Sequence, residues 1–329
     1  MLNSSRKTTF FTITFCALLF IGTEYHNQSP TESPVRKVPN IGEAAEAYFS
    51  PSGTALICNA KRDGDTVHQV YTLNLDGTNI RRINNRGEDA CSFYFPSGDR
   101  LIYTSTKDNL HLPRGDWSKA AIYPQGAELY TCDLDGSNVK RLTFNEYYDA
   151  EVSVSPDGQW ILFARQIDGR LDLWRMRPDG SEEFQITRTP DLQEGGAFYM
   201  PDGKTILFRA WKIQDQGLRP MPMEIFTIEH DGRNLRQITN DGSTNWAPFP
   251  HPDGKHFVFV KVVPKLNYEL FLMNIETDKQ IRLTYNEDFD GLPSISPDGK
   301  TVCFASGRGA PPGKRMISLY TMDISKLLE

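Results

Sequence analysis

The chain is poor in the residues that most often perform chemistry or bind metal ions, with 5 cysteines and 6 histidines among 329 residues. It contains no Cys-x-x-Cys pair, no His-Glu-x-x-His motif and no Gly-x-Ser-x-Gly elbow. The usual signatures of zinc sites, zinc proteases and serine hydrolases are therefore missing. Cys58, Cys91, Cys132 and Cys303 show no metal-ligand spacing. We expect buried free thiols, although an oxidising compartment would also permit a disulfide.

Runs of basic residues are missing as well. The net charge is −6 and the two basic residues near the start, Arg6 and Lys7, lie in a segment without acids. Removal of that segment leaves 34 basic against 42 acidic residues, a net charge of −8. An acidic surface without a lysine or arginine cluster repels a phosphate backbone. We predict that nucleic acid is not a partner.

Long apolar runs are absent except near the N-terminus. Arg6 and Lys7 precede an uncharged segment, 8–23, whose apolar centre spans residues 10–21. This centre is too short for a membrane span and has the length of a signal-peptide core. We predict a signal peptide at 1–23, a polar linker at 24–34 and a periplasmic or secreted protein. An uncleaved segment that tethers the protein to the membrane is the alternative.

What the chain does have is a sixfold repeat. A tetrapeptide with proline second, serine or aspartate third and glycine last begins at Ser50, Phe95, Ser155, Met200, His251 and Ser296. The prolines are 45, 60, 45, 51 and 45 residues apart. Proline, aspartate and glycine in this order form tight hairpin turns. A constant period of this length is typical of a repeat fold.

Each repeat predicts four short strands, which we call A to D. Apolar and β-branched runs flank the turn as strands A and B, a third run such as Glu128–Cys132 follows, and a short fourth run such as Lys140–Thr143 ends the unit. The last repeat stops before its fourth strand, whereas 35–38 precedes the first repeat at the matching distance. We therefore predict an all-β fold over 35–329, a six-bladed β-propeller closed by this N-terminal strand.

The repeat motifs carry a family resemblance. Ser296–Lys300 reads Ser-Pro-Asp-Gly-Lys, Asp135–Asn138 reads Asp-Gly-Ser-Asn, and Arg141–Thr143 and Arg282–Thr284 read Arg-Leu-Thr. These motifs resemble the WD-like propeller repeats of the TolB family, over all six units. The resemblance implies a bacterial envelope protein whose propeller binds a partner. TolB carries an additional N-terminal α/β domain, which we expect this chain to lack, because only the short linker separates the predicted signal peptide from the first strand.

A candidate site follows from alignment on the turn prolines. Propellers bind ligands where the loops that enter the innermost strands meet, and these loops precede strand A. Seven residues before each proline the chain holds Ala44, Asp89, Asp149, Glu194, Asn245 and Asp290. Glu46 and Glu151 follow two residues later, and Tyr147, Tyr148, Trp246 and Phe289 occupy the same loops. We predict that Asp89, Asp149, Glu151, Glu194, Asn245, Trp246 and Asp290 bind a ligand at an acidic channel mouth.

Three alternatives are consistent with these acids. They could hold Ca²⁺ through oxygen ligands, dock a basic segment or an amine of a partner, or cap their loops through backbone hydrogen bonds. Their aromatic neighbours would suit a peptide or a sugar. Insertions at 106–125, 211–223 and 307–315 are expected around the same mouth.

The sequence therefore favours a non-catalytic, monomeric binding module for an envelope protein, a peptide or a saccharide. A carbohydrate-active hydrolase or lyase that uses the mouth carboxylates is the alternative.

Overall fold

The computed structural model describes residues 32–311, 313–314 and 316–328, so the predicted signal peptide and most of the linker lie outside the described residues. The described chain folds into six four-stranded antiparallel sheets, as predicted. No helix in the described part is long and apolar enough to cross a membrane.

The first three blades follow the chain in order, each from its innermost to its outermost strand. Blade 1 consists of β2 (Glu43–Phe49), β3 (Ala55–Lys61), β4 (Gln69–Asn74) and β5 (Arg81–Arg82). Blade 2 consists of β6 (Asp89–Tyr94), β7 (Arg100–Ser105), β8 (Glu128–Asp133) and β9 (Lys140–Arg141). Blade 3 consists of β10 (Tyr148–Val154), β11 (Ile161–Ile167), β12 (Arg170–Met176) and β13 (Phe184–Gln185).

Two more blades repeat this order, and the sixth departs from it. Blade 4 consists of β14 (Leu192–Tyr199), β15 (Thr205–Lys212), β16 (Glu224–Glu229) and β17 (Arg236–Gln237). Blade 5 consists of β18 (Asn245–Pro250), β19 (His256–Val263), β20 (Asn267–Asn274) and β21 (Gln280–Arg282). Blade 6 consists of β22 (Asp290–Ile295), β23 (Thr301–Ser306), β24 (Ser318–Asp323) and, from the start of the chain, β1 (Val35–Lys37). Short 3₁₀ turns lie at Ala120–Ile122, Ile213–Asp215, Pro264–Leu266 and Ser325–Leu327.

The ring closes as the sequence predicts. Strand β1 pairs antiparallel with β24, with Val35 opposite Met322 and Lys37 opposite Tyr320. The next residue, Val38, donates its N–H to the Leu319 carbonyl at 2.9 Å. Blade 6 therefore holds the first and last strands of the propeller together and leaves β24 without an open edge.

The repeated turn is held by its own side chains. In the last repeat the Gly299 N–H donates to the Ser296 carbonyl at 2.8 Å, while Asp298 and Ser296 accept the N–H groups of Lys300 and Thr301. The six turn glycines have φ between +67° and +74°, a region that residues with a Cβ avoid. The tetrapeptide is therefore scaffold, at the end of the ring opposite the loops that enter strand A.

The Arg-Leu-Thr motif ties strand D to strand C. The Arg141 guanidinium donates to Glu128 at 2.9 Å and to the Thr143 carbonyl at 2.7 Å, and the Thr143 hydroxyl accepts the Leu129 N–H. Arg282 and Thr284 repeat the same bonds in blade 5. The motif holds a strand of only two or three residues in place.

The core lies between the blades. The seventh residue after each turn proline is on strand B and fully buried, and in five blades it is an aromatic: Tyr103, Phe163, Phe208, Phe259 and Phe304. Blade 1 has Cys58 there. A buried aromatic side chain contributes roughly 2–3 kcal/mol. All four cysteines of the described residues are buried and free, as expected.

Candidate functional site

Every innermost strand is interrupted by a β-bulge at the same position. The pairing register shifts in each of the six A strands, for example between Ala45 and Tyr48 in β2 and between Trp246 and Phe249 in β18. The bulge residue lies five positions before the turn proline and has φ between +41° and +57°. These six residues are Glu46, Cys91, Glu151, Gly196, Ala247 and Leu292. We call them the bulge ring.

The bulge ring surrounds a cavity of about 920 Å³ in the channel, and all six of its members line it. A β-bulge inserts one residue and breaks the in–out alternation of a strand. The side chains five positions before each proline therefore face the channel, whereas of those seven positions before it only Asp89 is among the described residues that line the cavity.

Aromatic rings close the cavity on the side of the repeated turns. Tyr48 and Phe198, each three residues before a turn proline, line it, and their rings lie 5.5 Å apart. Phe93 lies 5.2 Å from Tyr48, and Phe249 lies 4.8 Å from Phe198. We call these four residues the aromatic floor.

Two of the three predicted insertions form the wall. Residues 106–125 contribute Trp117 and Tyr123, and residues 211–223 contribute Trp211, Met221 and Met223. Trp246, Tyr268 and Phe289 complete the opposite side of the wall. The described part of the third insertion does not line the cavity, and its Arg308 binds Asp290 and Glu32. The wall is therefore mostly aromatic and apolar.

Glu46 is a carboxylate of the cavity without a basic partner in the described part of the chain. Its Oε2 accepts the Asn59 amide at 2.8 Å and the Cys91 N–H at 3.3 Å. Burial and the nearby Glu151 charge raise the pKa of Glu46 to about 7. Near neutral pH this carboxyl can therefore accept a hydrogen bond or carry a proton.

Glu151 is neutralised by Arg209. The guanidinium donates to both carboxylate oxygens, at 3.0 and 3.1 Å, and both side chains are nearly buried. Glu151 also accepts the Gly196 N–H of the next blade. Attraction to Glu151 outweighs burial and raises the pKa of Arg209, which stays charged. The pair adds no net charge to the mouth.

The structure brings together three of the seven predicted site residues. Asp89, Glu151 and Trp246 line the cavity. Asp89 is nevertheless engaged, because it accepts the Val70 N–H at 3.1 Å and the Asn84 amide at 2.7 Å. Burial raises the pKa of Asp89 to about 7.

The other four do not line the cavity and are tied to nearby loops and strands. Asp149 accepts two bonds from Arg165, at 2.6 and 2.8 Å. Glu194 accepts the Thr189 hydroxyl, and burial raises its pKa to about 8. Asn245 donates to Glu224 and Asp241, both at 2.9 Å, and Asp290 binds Arg308. These contacts are to side chains of the blades and loops, not to the backbone as the capping alternative expects, and a ligand-binding role for the four residues stays a prediction.

Sequence reasoning missed Arg209, Asn59 and the aromatic floor. The signal for the floor was available, since Tyr48, Phe93, Phe198 and Phe249 all stand three positions before a turn proline. The bulge itself has no sequence signature here, because five of its six residues are not glycine.

The described residues contain no preformed site for the predicted calcium ion. Among the described residues no group of three or more histidine, cysteine, aspartate or glutamate side chains is placed to hold a metal ion. The predicted acids have partners from the chain itself, as given above. Calcium binding stays a prediction without a defined ligand set.

Comparison with known sequences gives partial matches. No protein-family model matches the chain. An uncharacterized protein of Agrobacterium fabrum is 29% identical over 154 residues, which cover 44% of this chain and 50% of that protein. A TolB homolog of Chlorobium chlorochromatii is 24% identical over 133 residues, which cover 40% of this chain and 28% of that protein. The match thus spans half or less of the length of these relatives.

Solved structures share the fold over most of the chain. TolB of Acinetobacter baumannii matches with a TM-score of 0.60 and 20% identity, covering 88% of this chain and 65% of that one. An oligogalacturonate lyase of Vibrio parahaemolyticus matches with a TM-score of 0.62 and 13% identity, covering 92% and 96%. At such identities the likeness shows the fold alone. With the TolB homolog, it confirms the TolB-like propeller that the repeat motifs predicted.

Proposed function

We propose that this TolB-like propeller is an exported, non-catalytic binding module whose channel mouth takes a short segment of an envelope polypeptide. The observation that carries the proposal is the cavity of about 920 Å³, closed by the aromatic floor and walled by aromatic side chains. Concave apolar sites with a few polar groups are where proteins bind small ligands and peptide side chains. The resemblance to TolB homologs supports a protein partner in the periplasm.

The polar groups define the chemistry of the ligand. Trp117, Trp211 and Trp246 offer aromatic faces to an apolar side chain. Glu46 offers an oxygen acceptor to an amine or amide N–H without a competing salt bridge from the described residues. The segment should therefore combine an aromatic or aliphatic side chain with an adjacent hydrogen-bond donor. This differs from the strongly acidic mouth predicted from sequence, because Glu151 and Asp89 are satisfied internally.

A matched pair of tryptophan variants tests the proposal. A displayed library of peptides from the envelope proteins of the source organism is selected against the purified protein, and the best binder is measured by calorimetry. Trp246→Ala removes a wall residue and should weaken binding by about tenfold or more. Trp160→Ala is the control, because Trp160 lies at the repeated-turn end under Arg175 and Arg177.

Three results would speak against the proposal. They are a library that yields no binder, a binder that both variants retain, and a binder that only Trp160→Ala loses. The last result would place the interaction at the opposite end of the propeller.

A carbohydrate-active enzyme is the second candidate. Glu46 favours it, since a carboxyl with a pKa of about 7 in an open cavity has the acidity that a general base or acid requires. Turnover on a panel of neutral and acidic oligosaccharides, lost in Glu46→Gln, would support the enzyme and displace the binding module. Absence of turnover in the native protein would exclude this alternative for the sugars tested.

A further inference from the structure

The backbone N–H groups of the bulge ring point at the preceding blade. The Cys91 N–H donates to the Glu46 carboxylate, and the Gly196 N–H donates to the Glu151 carboxylate. Between them, the Glu151 N–H faces the Cys91 thiol. Two hydrogen bonds thus show one rule, in which the N–H of a bulge residue meets the bulge side chain of the blade before it, and the Glu151 N–H has the Cys91 thiol at the matching place.

The other half of the ring lacks side chains that could accept. The bulge residues Gly196, Ala247 and Leu292 carry no oxygen, nitrogen or sulfur beyond the backbone. Within the described residues no side chain accepts a hydrogen bond from the N–H groups of Ala247, Leu292 or Glu46. All of these residues line the cavity. Blades 1 and 3 thus contribute carboxylates to the bulge ring, whereas blades 5 and 6 contribute only the backbone N–H groups of Ala247 and Leu292.

We propose that the N–H groups of Ala247 and Leu292 form an acceptor subsite that binds the carbonyl or carboxylate oxygen of a ligand in the channel mouth. The inference rests on the proposed function and gives the bound segment an orientation. The carboxylates of Glu46 and Glu151 show how such an oxygen would bind, because each accepts a hydrogen bond from the N–H of a bulge residue in the same ring.

Backbone conformation supports the subsite. Ala247 has φ of +49° and Leu292 has φ of +52°, a left-handed conformation that is unfavourable for alanine and more so for leucine. Cys91 and Gly196 share this conformation and direct their N–H groups at the bulge side chain of the preceding blade, so the N–H groups of Ala247 and Leu292 should point the same way. Each of these two residues is followed by a proline, Pro248 and Pro293, which has no N–H of its own. Within each of these two bulges, the N–H of Ala247 or Leu292 is therefore the backbone donor that can face the channel.

The surroundings specify the group that carries the oxygen. Trp246, Tyr268 and Phe289 line the cavity beside this half of the ring, with ring centroids 5.6–6.5 Å apart. An apolar side chain attached to the carbonyl or carboxylate would pack against these three rings. A peptide residue with an aromatic side chain meets both requirements. The oxygen would be its main-chain carbonyl or, at a chain end, its terminal carboxylate.

The ring itself provides the blocking variant. In blade 3 the Glu151 carboxylate accepts the bulge N–H of the next blade. Ala247→Glu should do the same from blade 5, so that the new carboxylate accepts the Leu292 N–H and blocks it. Ala247→Leu is the matched control, because Leu292 shows that a leucine is accommodated at this position and φ. The probes are N-acetylphenylalanine methylamide, which offers carbonyls, N-acetylphenylalanine, which offers a carboxylate, and phenethylamine, which offers no acceptor.

We expect the methylamide, which is neutral and therefore not repelled by the charge of the new carboxylate, to bind about tenfold more weakly to Ala247→Glu than to Ala247→Leu, the loss of one hydrogen bond. Phenethylamine, a cation near neutral pH, should bind at least as well to Ala247→Glu as to Ala247→Leu, because the new carboxylate attracts it. The stronger of the two acceptor probes identifies the source of the oxygen. Equal binding of the methylamide to both variants would overturn the subsite.

A direct measurement keeps the test valid if a variant fails to fold. In native protein labelled with ¹⁵N-leucine, the Leu292 amide, assigned through Leu292→Ile, should shift downfield when the acceptor probe is added and not when phenethylamine is added. A Leu292 amide that does not respond at saturation overturns the subsite. If Trp246→Ala still abolishes peptide binding in that case, the proposed function stands without it.

Discussion

At the scale of single residues, the fold changes the charge state of Glu46, a carboxyl of the cavity whose pKa is raised. It lines the cavity, accepts hydrogen bonds from Asn59, Cys91 and Tyr48, and has no salt bridge among the described residues. Burial raises its pKa from 4.5 to about 7. The folded protein therefore holds this proton over a range in which the unfolded chain has released it.

Glu46→Gln should remove this pH dependence. In the native protein the contribution of Glu46 is fully present below about pH 4.5 and is lost as the pH rises through about 7. Glutamine keeps the neutral shape, so the stability of the variant relative to native protein should grow by about 3 kcal/mol across this window. Thermal melts of both proteins from pH 4 to 8 measure it.

Asp89 and Glu194 also have raised pKa values but are present in both proteins, so their titration cancels in the difference. A difference in melting temperature that stays constant with pH, or that shrinks as the pH rises, would contradict the assignment to Glu46.

The residue scale is also where sequence reasoning about the site was weakest. Counting back from the turn prolines found the right loops and predicted Trp246 and Glu151, which line the cavity. It gave most weight to the position seven residues before the proline, which is tied into the blade. The reason is physical, because strict alternation was assumed along strand A and the bulge breaks it.

At the scale of elements, the acids at the start of strand A join each strand to its neighbours. Asp149, at the start of β10, illustrates this. Its carboxylate holds Arg165 of β11 and the Asn145 amide of the loop that enters the blade. Both Asp149 and Arg165 are nearly excluded from water. The bond network therefore stabilises the blade from within.

Asp149→Ala should lower stability and leave the mouth intact. Removal of one partner of a buried ion pair typically costs about 3–5 kcal/mol, although Glu183 still contacts Arg165 here. We expect the lower end, about 3 kcal/mol, in urea unfolding, with native affinity for the selected peptide in the folded fraction. The double variant Asp149→Ala, Arg165→Met should recover part of the loss. Native stability with abolished peptide binding would instead support a ligand-binding role.

At the scale of the whole molecule, the propeller depends on a contact between the two ends of its chain. The short strand β1 completes blade 6, and Val38 and Ile41 just after it are buried. The repeat count and the missing last strand were enough to predict this closure, because unpaired strand edges are unfavourable. The six-bladed ring could thus be predicted almost completely from the sequence. The residues that face the channel could not, because they depend on the β-bulge of each strand A, which has no sequence signature here.

A chain that begins at Pro39 should lose this closure. Three residues of strand pairing and the burial of Val38 disappear, which together are worth about 3–5 kcal/mol. We expect a lower melting temperature and aggregation through the exposed edge of β24. A chain that begins at Glu32 is the control and should melt like the longer protein. Equal melting of the two chains would show that the ring does not need β1.

The aromatic floor has a consequence for what can enter the propeller. Tyr48, Phe93, Phe198 and Phe249 meet with ring centroids 4.8–6.1 Å apart, which leaves no room for a polypeptide to thread between them. The channel is a blind well rather than a tunnel, so a ligand must arrive and depart through one opening. A chain end or the tip of a tight loop can reach the bottom of such a well, whereas the middle of an extended strand can only lie across its rim.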